Sequence, residues 1–326
     1  MTARVIQRLS DGGAVPERFR GGVVAVGNFD GVHRGHQAVL KQARRLANGL
    51  GRPLVCLTFE PHPRTLFQPD RPVPRLTPAP MKARLLEALD FDAVLEQPFD
   101  RDYAAYSAEA FVAETLVRDL GASHVVVGFD FQFGAKRSGD AAYLAEEGGR
   151  HDFAVTIVEA KDDESGQIIS SSRIRNLLSE GDVAGAAQLL GYRWTVEGAV
   201  GHGQKLGRQL GYPTANMKLE SDLLRHGIYA VRMTRASGAL HGGVASFGRR
   251  PTFDDGAPLF ETFLFDFDGD LYGETVDVSL FAFLRGEERF ESAAALVAQM
   301  DRDAETARAI LAEAAPISDL DRRIAF

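Results

Sequence analysis

Short apolar runs alternate with amphipathic, helix-like segments between about residues 22 and 190. Apolar runs bounded by turn residues predict buried strands, and strands separated by helices predict a parallel sheet covered on both faces. The predicted strands are 23–27, 54–59, 93–99, 124–130 and 153–160, and the predicted helices are 36–49, stopped by Gly49, 81–89, and 107–120 with Ser107 as N-cap. The proline-containing segment 62–78 is predicted to be a long loop over this sheet. The first part of the chain is therefore predicted to be an α/β domain.

After residue 190 the pattern changes to strand-like runs without intervening helices. Strands spaced by glycines and short turns predict an antiparallel sheet or a small barrel. The predicted strands are 194–201, 227–235, 239–248, 259–267 and 275–284, followed by one amphipathic helix from Ser292 to about Ala314. A short helical segment, 182–191, marks the boundary. Two domains are predicted, 1–185 and 186–326, which suits a chain of 326 residues.

Composition narrows the classes of protein that the chain can belong to. A formal net charge of −8 argues against a bulk nucleic-acid binder but not against a pocket for small nucleotides. The single cysteine, Cys56, cannot form an internal disulfide and lies in an apolar run, where a buried structural thiol is expected. The N-terminal residues lack an apolar signal segment, and no apolar run reaches membrane-spanning length. The chain is expected to be cytoplasmic, with neither nucleic acid nor membrane as a partner.

The segment "GNFDGVHRGH" (27–36) joins the first predicted strand to the first predicted helix. Ligands of open parallel sheets bind beyond the carboxyl ends of strands, and a helix N-terminus offers free N–H groups to phosphate. His33 and His36 could be metal ligands, an acid/base pair or solvated side chains. Metal binding would need a third ligand, for which Asp30 and His62 are candidates. Hydrogen-bond donation by the histidines to phosphate fits best, because Gly35 between them allows the backbone to approach a ligand closely.

Three serines, Ser170 to Ser172, are predicted to form a second turn before a helix, followed by Arg173 and Arg175. Hydroxyl and N–H groups beside a guanidinium could hold a polyphosphate, whereas the simpler interpretation is a helix cap with surface arginines. Asp130, at the end of a predicted strand, is either a ligand-binding carboxylate or a turn former. Together the two turns predict a nucleotide site.

The segment 196–217, "VEGAVGHGQKLGRQLGYPTANM", is rich in glycine but is not a Walker loop. Its glycines could either form barrel bends or wrap a polyphosphate with backbone N–H groups. Thr214 and Asn216 carry oxygens of the kind that Mg²⁺ prefers. Downstream, Glu261 lies within a predicted strand, where a carboxylate can be a catalytic base or an outward-facing residue. The other carboxylates are predicted to lie in a hairpin turn (Asp268, Asp270) or at a helix start (Glu287, Glu288); Asp266 is a further candidate.

These motifs resemble a known family in both halves of the chain. "GNFDGVHRGH" with "ISSSRIR" resembles the nucleotidylyltransferase superfamily, and "TFEPHP" with "VVGFDFQFGAKRSGD" narrows this to the bacterial bifunctional riboflavin kinase/FMN adenylyltransferases. "GYPTAN", "GIYAV", "RRPTF", "ETFLFDFDGDLYG" and "FLRGEERF" continue the resemblance in order. It implies a Rossmann-like, doubly wound parallel-sheet domain followed by an antiparallel six-stranded β-barrel with a C-terminal helix.

The resemblance also implies substrates and site residues. The implied small molecules are ATP, riboflavin, FMN and FAD, with Mg²⁺ accompanying ATP and no permanent prosthetic group. His33 and His36 would act on the ATP phosphates in the first domain, and Glu261 would be the base of the kinase. The implied ATP-binding residues are Asn28, Phe29, Gly35, Ser170, Ser171, Ser172, Arg175, Gly201, Gly203, Lys205, Gly207, Arg208, Pro213 and Thr214. The implied flavin-binding residues are Asp130, Arg137 and Asn216, and the implied metal ligands are Thr214 and Asn216.

The sequence departs from the family pattern at a few supporting positions. Ser246 stands where asparagine is usual, Phe263 stands where histidine is frequent, and no proline precedes Gly227. The hypothesis is a bifunctional enzyme that phosphorylates riboflavin and then adenylylates FMN. The alternatives are a chain with only one active module and a regulator that binds flavin or nucleotide without catalysis.

Overall fold

The computed structural model describes residues 7–9, 13–201, 214–219, 222–249 and 258–326. The chain divides into two compact units between Ser171 and Ser172. The strands are β1 Gln7–Leu9, β2 Val23–Val26, β3 Leu54–Glu60, β4 Ala93–Pro98, β5 His124–Gly128, β6 Gln132–Phe133, β7 Gly139–Asp140, β8 Ala154–Val158, β9 Thr195–Ala199, β10 Thr214–Lys218, β11 Gly227–Thr234, β12 Leu240–Arg249, β13 Pro258–Leu264 and β14 Thr275–Arg285. The helices are α1 Arg34–Leu50, α2 Pro63–Phe67, α3 Ala79–Ala88, α4 Arg101–Ala104, α5 Ala108–Ala110, α6 Ala141–Arg150, α7 Ser171–Glu180, α8 Val183–Leu190, α9 Ala293–Glu313 and α10 Asp319–Ala325.

The first unit is built on a parallel sheet of six strands in the order β1-β4-β3-β2-β5-β8. The chain runs outward from β2 through β3 to β4 and then crosses to the other side of β2 with β5 and β8. The direction of winding therefore reverses between β2 and β5, and the carboxyl ends of strands at such a reversal are where α/β sheets bind ligands. The five predicted strands and the parallel arrangement are confirmed, and β1 adds a short edge strand.

Helix α1 is amphipathic in the way the sequence predicts. Val39, Leu40 and Ala43 are buried against the sheet. Its end differs from the prediction, because the helix passes Gly49 and closes at Gly51. Gly51 adopts the left-handed conformation, φ 61°, which glycine reaches without steric cost.

Two further local differences occur in this unit, and the burial predicted for Cys56 is confirmed. Ser107 caps its helix as predicted, because its hydroxyl accepts a hydrogen bond from the Ala110 N–H at 3.0 Å. The helix then continues over Phe111–Asp119 as a π-helix, which sequence periodicity does not reveal. The proline-containing loop holds the short helix α2. Cys56 is fully buried in β3, and this burial raises the pKa of its thiol to about 12, as expected for a structural cysteine.

The second unit contains an antiparallel sheet of six strands in the order β10-β13-β12-β11-β14-β9. The Gly201 N–H donates to the Asn216 carbonyl at 2.8 Å, and this bridge brings the chain after β9 to β10 at the opposite edge. The sheet is therefore a nearly closed barrel, which removes exposed strand edges. The antiparallel β-barrel and the helix that begins after the N-cap Ser292 are confirmed.

Alternation along the barrel strands separates an interior face from an outer one. Side chains such as Phe247, Phe260 and Met217 are almost fully buried inside the barrel. Helix α9 packs against the outer face through Ala307 and Leu311, together with apolar side chains of β11–β14. Among the described helices, none is long and apolar enough to cross a membrane.

Candidate functional sites

The turn between β2 and α1 places both histidines at the helix N-terminus. His33 is the N-cap, and its Nδ1 accepts a hydrogen bond from the His36 backbone N–H at 3.2 Å. The two rings are stacked, with centroids 3.5 Å apart and an angle of 18° between the planes. Since Nδ1 accepts, a neutral His33 carries its proton on Nε2, so that nitrogen is a donor.

The neighbours of His36 leave one of its ring nitrogens without a protein partner. Its Nδ1 is buried and makes no hydrogen bond within the described residues. The Phe29 ring, itself only 2% exposed, lies edge-on to the His36 ring at 5.4 Å. Burial lowers the pKa of His36 well below its usual value, and the charges of His33 and Lys82 lower it further. The site therefore holds a neutral imidazole with an unused polar atom.

Gly35 is required by the stacked histidines. A Cβ at position 35 would lie 3.1 Å from two atoms of the His33 ring, tighter than side-chain contacts normally are. The turn also contains two non-glycine residues with positive φ, Phe29 at 46° and Val32 at 39°. Such conformations are costly, and they occur where the surrounding structure imposes them.

Asp30 is a structural carboxylate. It is 2% exposed and accepts from the backbone N–H groups of Leu76 and Thr77, at 3.0 and 3.1 Å. His62 caps α2, its Nδ1 accepting from the Arg64 N–H at 3.2 Å. Within the described part of the chain, no group of three His, Cys, Asp or Glu side chains could hold a metal ion. The geometry therefore offers no support for metal binding by the histidine pair.

The serine turn meets the histidine turn directly. The Ser171 hydroxyl donates to the Asp30 carbonyl at 2.8 Å, and the Ile169 carbonyl lies 3.6 Å from the position of a Cβ on Gly35. Twelve residues separate the end of β8 at Val158 from Ser171, so the serines begin a helix but do not directly follow a strand. Ser170 is half-buried and belongs to the first unit. Ser172 and Arg175 belong to the second unit; Ser172 is exposed and Arg175 is half-buried.

The remaining predicted residues of the first unit lie beyond the ends of β2 and β5. Asn28 is exposed, and its carbonyl accepts from the Thr58 hydroxyl at 3.2 Å. Asp130 is exposed, and its Oδ1 lies 3.2 Å from the position of a Cβ on Gly128, at the end of β5. Arg137 is exposed in the β6–β7 turn with φ 58°.

Sequence reasoning missed a buried network of charges beside this turn. Glu60, at the end of β3, accepts two hydrogen bonds of 2.7 Å from Arg75 and one of 3.1 Å from Lys82. Burial opposes ionisation of Glu60, but the hydrogen bond from Arg75 and the positive charge of Lys82 outweigh it and lower the pKa of the carboxyl from 4.5 to about 2. The only signal in the sequence was Glu60 itself, within the "TFEPHP" motif.

Glu60→Gln is expected to reduce the pH dependence of stability of the first unit. The pKa of Glu60 is lower in the folded state, so its ionised form stabilises the fold above about pH 4.5, and this stabilisation is lost as the pH falls toward 2. Wild type should lose about 2 kcal/mol between pH 5 and pH 3 through this group, and Glu60→Gln should not. The stability of the first unit at each pH is measured by urea unfolding, monitored through hydrogen exchange of the β2 and β3 amides. Glu17→Gln, at an exposed position, is the matched control. Equal pH dependence of wild type and Glu60→Gln would contradict the assignment.

An exposed aromatic ring lies close to the same end of the sheet. Phe67, in α2, is 67% exposed and lies edge-on to Phe99, with ring centroids 6.3 Å apart. Phe99 in turn packs against Phe59 and Tyr103. A large exposed ring supported by buried and half-buried rings is a surface on which a planar ligand can stack.

In the second unit, register brings the predicted kinase residues onto one face. Asn216 of β10 lies opposite Glu261 of β13, and Glu261 lies opposite Ser246 of β12. Thr214 lies opposite Phe263 on the same outer face of the barrel. Both departures from the family pattern, Ser246 and Phe263, are thus direct neighbours of proposed functional residues. Phe263 also packs into the apolar cluster under α9.

Asn216 has an oxygen without a protein partner. The side chain is 7% exposed, its Nδ2 donates to the Thr214 carbonyl at 3.1 Å, and its Oδ1 is buried without a hydrogen bond among the described residues. Asp268 and Asp270 are exposed turn residues, and Glu287 and Glu288 are exposed ahead of α9, as predicted. Asp266 pairs with Arg308 at 2.8 Å. The remaining predicted residues of the glycine-rich segment lie outside the described residues: Gly203, Lys205, Gly207, Arg208 and Pro213.

The first unit is a parallel sheet with a helix N-terminus of the kind that binds phosphate. The second unit is a barrel in which a carboxylate lies opposite an amide side chain. Together they define a two-module protein that uses nucleotides. The family model described as FAD synthetase matches residues 15–173, and the model described as riboflavin kinase matches residues 190–311. The predicted division at 185/186 falls between the two matches and stays a prediction. The chain belongs to the family of bifunctional riboflavin kinase/FMN adenylyltransferases.

Relatives of that name match both modules. The protein from Listeria monocytogenes is 41% identical over 296 residues, covering 89% of this chain and 93% of its own length. The protein from Pseudomonas fluorescens is 41% identical, covering 91% and 95%, and the one from Escherichia coli K12 is 39% identical, covering 88% and 92%. A crystal structure from Streptococcus pneumoniae, described as a macrolide-efflux protein, superposes with a TM-score of 0.80 at 31% identity and covers 93% of this chain and 99% of that one.

Proposed function

We propose that this bifunctional riboflavin kinase/FMN adenylyltransferase uses its two units for successive reactions. The barrel phosphorylates riboflavin with ATP to give FMN and ADP, and the sheet unit joins FMN to the AMP part of a second ATP, giving FAD and pyrophosphate. The observation that carries the assignment is that each unit has a buried polar side-chain atom that makes no hydrogen bond to any of the described residues: His36 Nδ1 and Asn216 Oδ1. Buried polar groups are normally hydrogen-bonded, so such atoms point to a ligand.

In the adenylyl-transfer unit, the FMN phosphate attacks the α-phosphorus of ATP and pyrophosphate leaves. Negative charge builds up on the phosphate oxygens during this step, and donors aimed at those oxygens stabilise it. His33 donates through Nε2, His36 donates through a ring N–H, and Gly35 lets the phosphates approach the start of α1. Asn28 lies two residues beyond the end of β2, and Ser171, which donates to the Asp30 carbonyl, completes the ATP site together with its neighbour Ser170.

The flavin in this unit binds beyond β5 and over α2. Asp130 and Arg137 supply polar contacts, and the exposed ring of Phe67 supplies a flat apolar surface for the isoalloxazine. Phe29, being buried behind His36, serves the nucleotide through its backbone and by holding the histidine ring.

In the kinase unit, Glu261 removes the proton from the ribityl 5′-hydroxyl as the oxygen attacks the γ-phosphorus of ATP. One well-placed carboxylate suffices, because phosphoryl transfer depends mainly on positioning and on neutralising charge. Asn216 is paired with Glu261 in the β10–β13 register and lies on the same face of the barrel, where it serves both the flavin and the metal. Gly201 meets Asn216 through the barrel bridge, and the rest of the glycine-rich segment would supply backbone donors to ATP.

The donors at the start of β10 fit Mg²⁺. A buried amide oxygen that makes no hydrogen bond to the residues described by the structure and a threonine hydroxyl two residues away are hard oxygen ligands, which Mg²⁺ prefers and shares with phosphate. Asn216 Oδ1 and Thr214 Oγ1 would hold the ion. When bound, it neutralises polyphosphate charge and orients the γ-phosphate.

Asn216→Ala is expected to raise the Mg²⁺ concentration needed for half-maximal riboflavin phosphorylation by about 10-fold or more, since a ligand oxygen is lost. FMN adenylylation by the same protein should keep its Mg²⁺ dependence. Titration of both reactions with Mg²⁺ measures this, with Ser246→Ala on the same face as control. An unchanged Mg²⁺ requirement for phosphorylation would exclude Asn216 as a ligand.

The proposed function is tested by incubating the full chain with ATP and Mg²⁺ and either riboflavin or FMN, and separating the flavins by chromatography over time. Riboflavin should give FMN and then FAD, and FMN should give FAD. FMN as the only product would support the alternative of a single active module. No conversion of either flavin would support a binding protein without catalysis.

A further inference from the structure

Lys82, on α3, is a buried cation at the edge of the adenylyl-transfer site. Its side chain is 2% exposed, and its ammonium donates to Thr58 Oγ1 at 2.9 Å and to Glu60 Oε1 at 3.1 Å. A lysine is almost never fully buried without a partner that fixes its charge. The sequence motifs do not include Lys82, and the mechanism above does not use it.

The bonds from Lys82 continue to the histidine turn. Thr58, which accepts from Lys82, donates its own proton to the Asn28 carbonyl at 3.2 Å. The side-chain hydroxyl thus links the ammonium to the first residue of the 28–31 turn, two residues beyond the end of β2. Because the Lys82 ammonium can only donate, Thr58 accepts from it and directs its own single proton to the Asn28 carbonyl.

A second path runs through Glu60 and Arg75. Arg75 binds Glu60 with two hydrogen bonds, and its Nε lies 3.6 Å from Asp30 Oδ1. Asp30 holds the Leu76 and Thr77 N–H groups, and the Thr77 hydroxyl oxygen accepts from the Gly31 N–H at 2.8 Å. The turn at 28–31 is therefore fastened on one side through Thr58 and on the other through the segment 75–77.

The same ammonium acts electrostatically on the histidine pair. The charged groups around Lys82 are Glu60, Arg75 and Asp30, two carboxylates and one further cation. Burial lowers the pKa of Lys82, Arg75 lowers it further, and Glu60 and Asp30 act in the opposite direction. Burial is the main reason that the pKa of His36 is low, followed by the charges of His33 and Lys82.

We propose that Lys82 is a positioning residue for adenylyl transfer: through Thr58 and Glu60 it holds the Asn28–Gly31 turn in the shape that presents the stacked histidines to ATP. This rests on the proposed function of the sheet unit. It adds a role for a residue that does not touch the reacting atoms. This turn needs external support, because Phe29 within it and Val32 directly after it both adopt unfavourable positive φ angles.

Two pairs of variants of the full chain separate position from charge. Lys82→Met removes the charge while keeping the length of the side chain, and Thr58→Val removes the hydroxyl link while keeping the charge and the shape. Thr58→Ser restores the hydroxyl. Arg8→Met is the matched control, since it removes an ion pair to the buried Glu96 at the edge of the same sheet.

The expected result is a fall in kcat for FAD formation of about 10- to 100-fold in Lys82→Met and Thr58→Val, with a much smaller change in KM for ATP. Thr58→Ser and Arg8→Met should have kcat close to wild type, and riboflavin phosphorylation should be unchanged in all four. The pKa of the His36 ring, followed by NMR in ring-labelled protein and assigned by its absence in His36→Gln, should rise in Lys82→Met, because a nearby positive charge is lost, and stay unchanged in Thr58→Val.

The inference is overturned if Thr58→Val retains the wild-type kcat, or if folded Lys82→Met shows neither the loss of kcat nor the shift of the His36 titration. A purely structural role would lower the melting temperature of Lys82→Met and Thr58→Val while leaving their kcat for FAD formation near the wild-type value. If Lys82→Met fails to fold, the comparison of Thr58→Val with Thr58→Ser decides the positioning role. If wild type forms no FAD from FMN while its His36 ring titrates as described, the proposed function is wrong, and this inference falls with it.

Discussion

His36→Ala is expected to abolish FAD formation from FMN while leaving riboflavin phosphorylation at the wild-type rate. The imidazole is held at the start of α1 by stacking on His33 at 3.5 Å and by the edge of Phe29, with its Nδ1 buried and without a protein partner. Removing one preorganised donor to a developing negative charge costs about 10²–10³ in rate. The additional loss of the stacked ring leaves His33 without its neighbour, so the effect should reach at least the upper end of that range.

The measurement is the initial rate of FAD formation from FMN and of FMN formation from riboflavin by the same preparation. His151→Ala is the matched control, because His151 lies in the same unit near Glu147 and away from the turn. The riboflavin kinase rate shows that the second unit is folded, and hydrogen exchange of the β2 and β5 amides shows the same for the first. A folded His36→Ala protein that forms FAD within a few-fold of wild type would remove His36 from the mechanism.

Glu261→Gln is expected to have the opposite selectivity. The substitution keeps the shape of the side chain but removes the base, and general-base catalysis contributes about 10²–10⁴ in rate. Riboflavin phosphorylation should fall by that factor, whereas adenylylation of added FMN should be unchanged. The register that sets Glu261 between Asn216 and Ser246 makes it the carboxylate on the face that carries the proposed metal ligands.

The control for Glu261→Gln is Asp270→Asn, which changes an exposed carboxylate that accepts only a turn hydrogen bond from the Tyr272 N–H at 2.9 Å. It should phosphorylate riboflavin normally. Loss of phosphorylation in Asp270→Asn, with retention in Glu261→Gln, would move the base to the turn. Equal loss of both reactions in Glu261→Gln would indicate that the two units do not work independently.

The sequence predicted the elements whose signals are local. Apolar runs identified β2, β3, β4, β5 and β8, and the apolar face of α1 identified its buried side. The true end of α1 at Gly51 was missed because two glycines, Gly49 and Gly51, carry the same sequence signal and only the φ angle distinguishes them. The π-helix at Phe111–Asp119 was missed because its apolar pattern resembles that of an ordinary helix.

In the candidate sites, too, the sequence identified local motifs but not the contacts between residues that are distant in sequence. The histidine turn, Glu261 and Asn216 were found from motifs, but the opposition of Asn216 and Glu261 depends on strand register over 45 residues of sequence. Lys82 and Arg75 lie outside every motif, Thr58 lies in "TFEPHP" without a predicted role, and the connection of all three to the turn depends on tertiary contacts alone. Sequence patterns identify such residues only as ordinary members of a strand, a helix or a loop.

The most direct test of the central claim, that two separate sites act in succession on free FMN, is complementation between the two single variants. His36→Ala alone should convert riboflavin to FMN and stop, and Glu261→Gln alone should leave riboflavin unchanged but convert added FMN to FAD. When the two proteins are mixed with riboflavin, ATP and Mg²⁺, FAD should form after FMN has accumulated. The account is contradicted if the mixture forms no FAD although each variant retains its remaining reaction, or if either folded variant has lost both reactions.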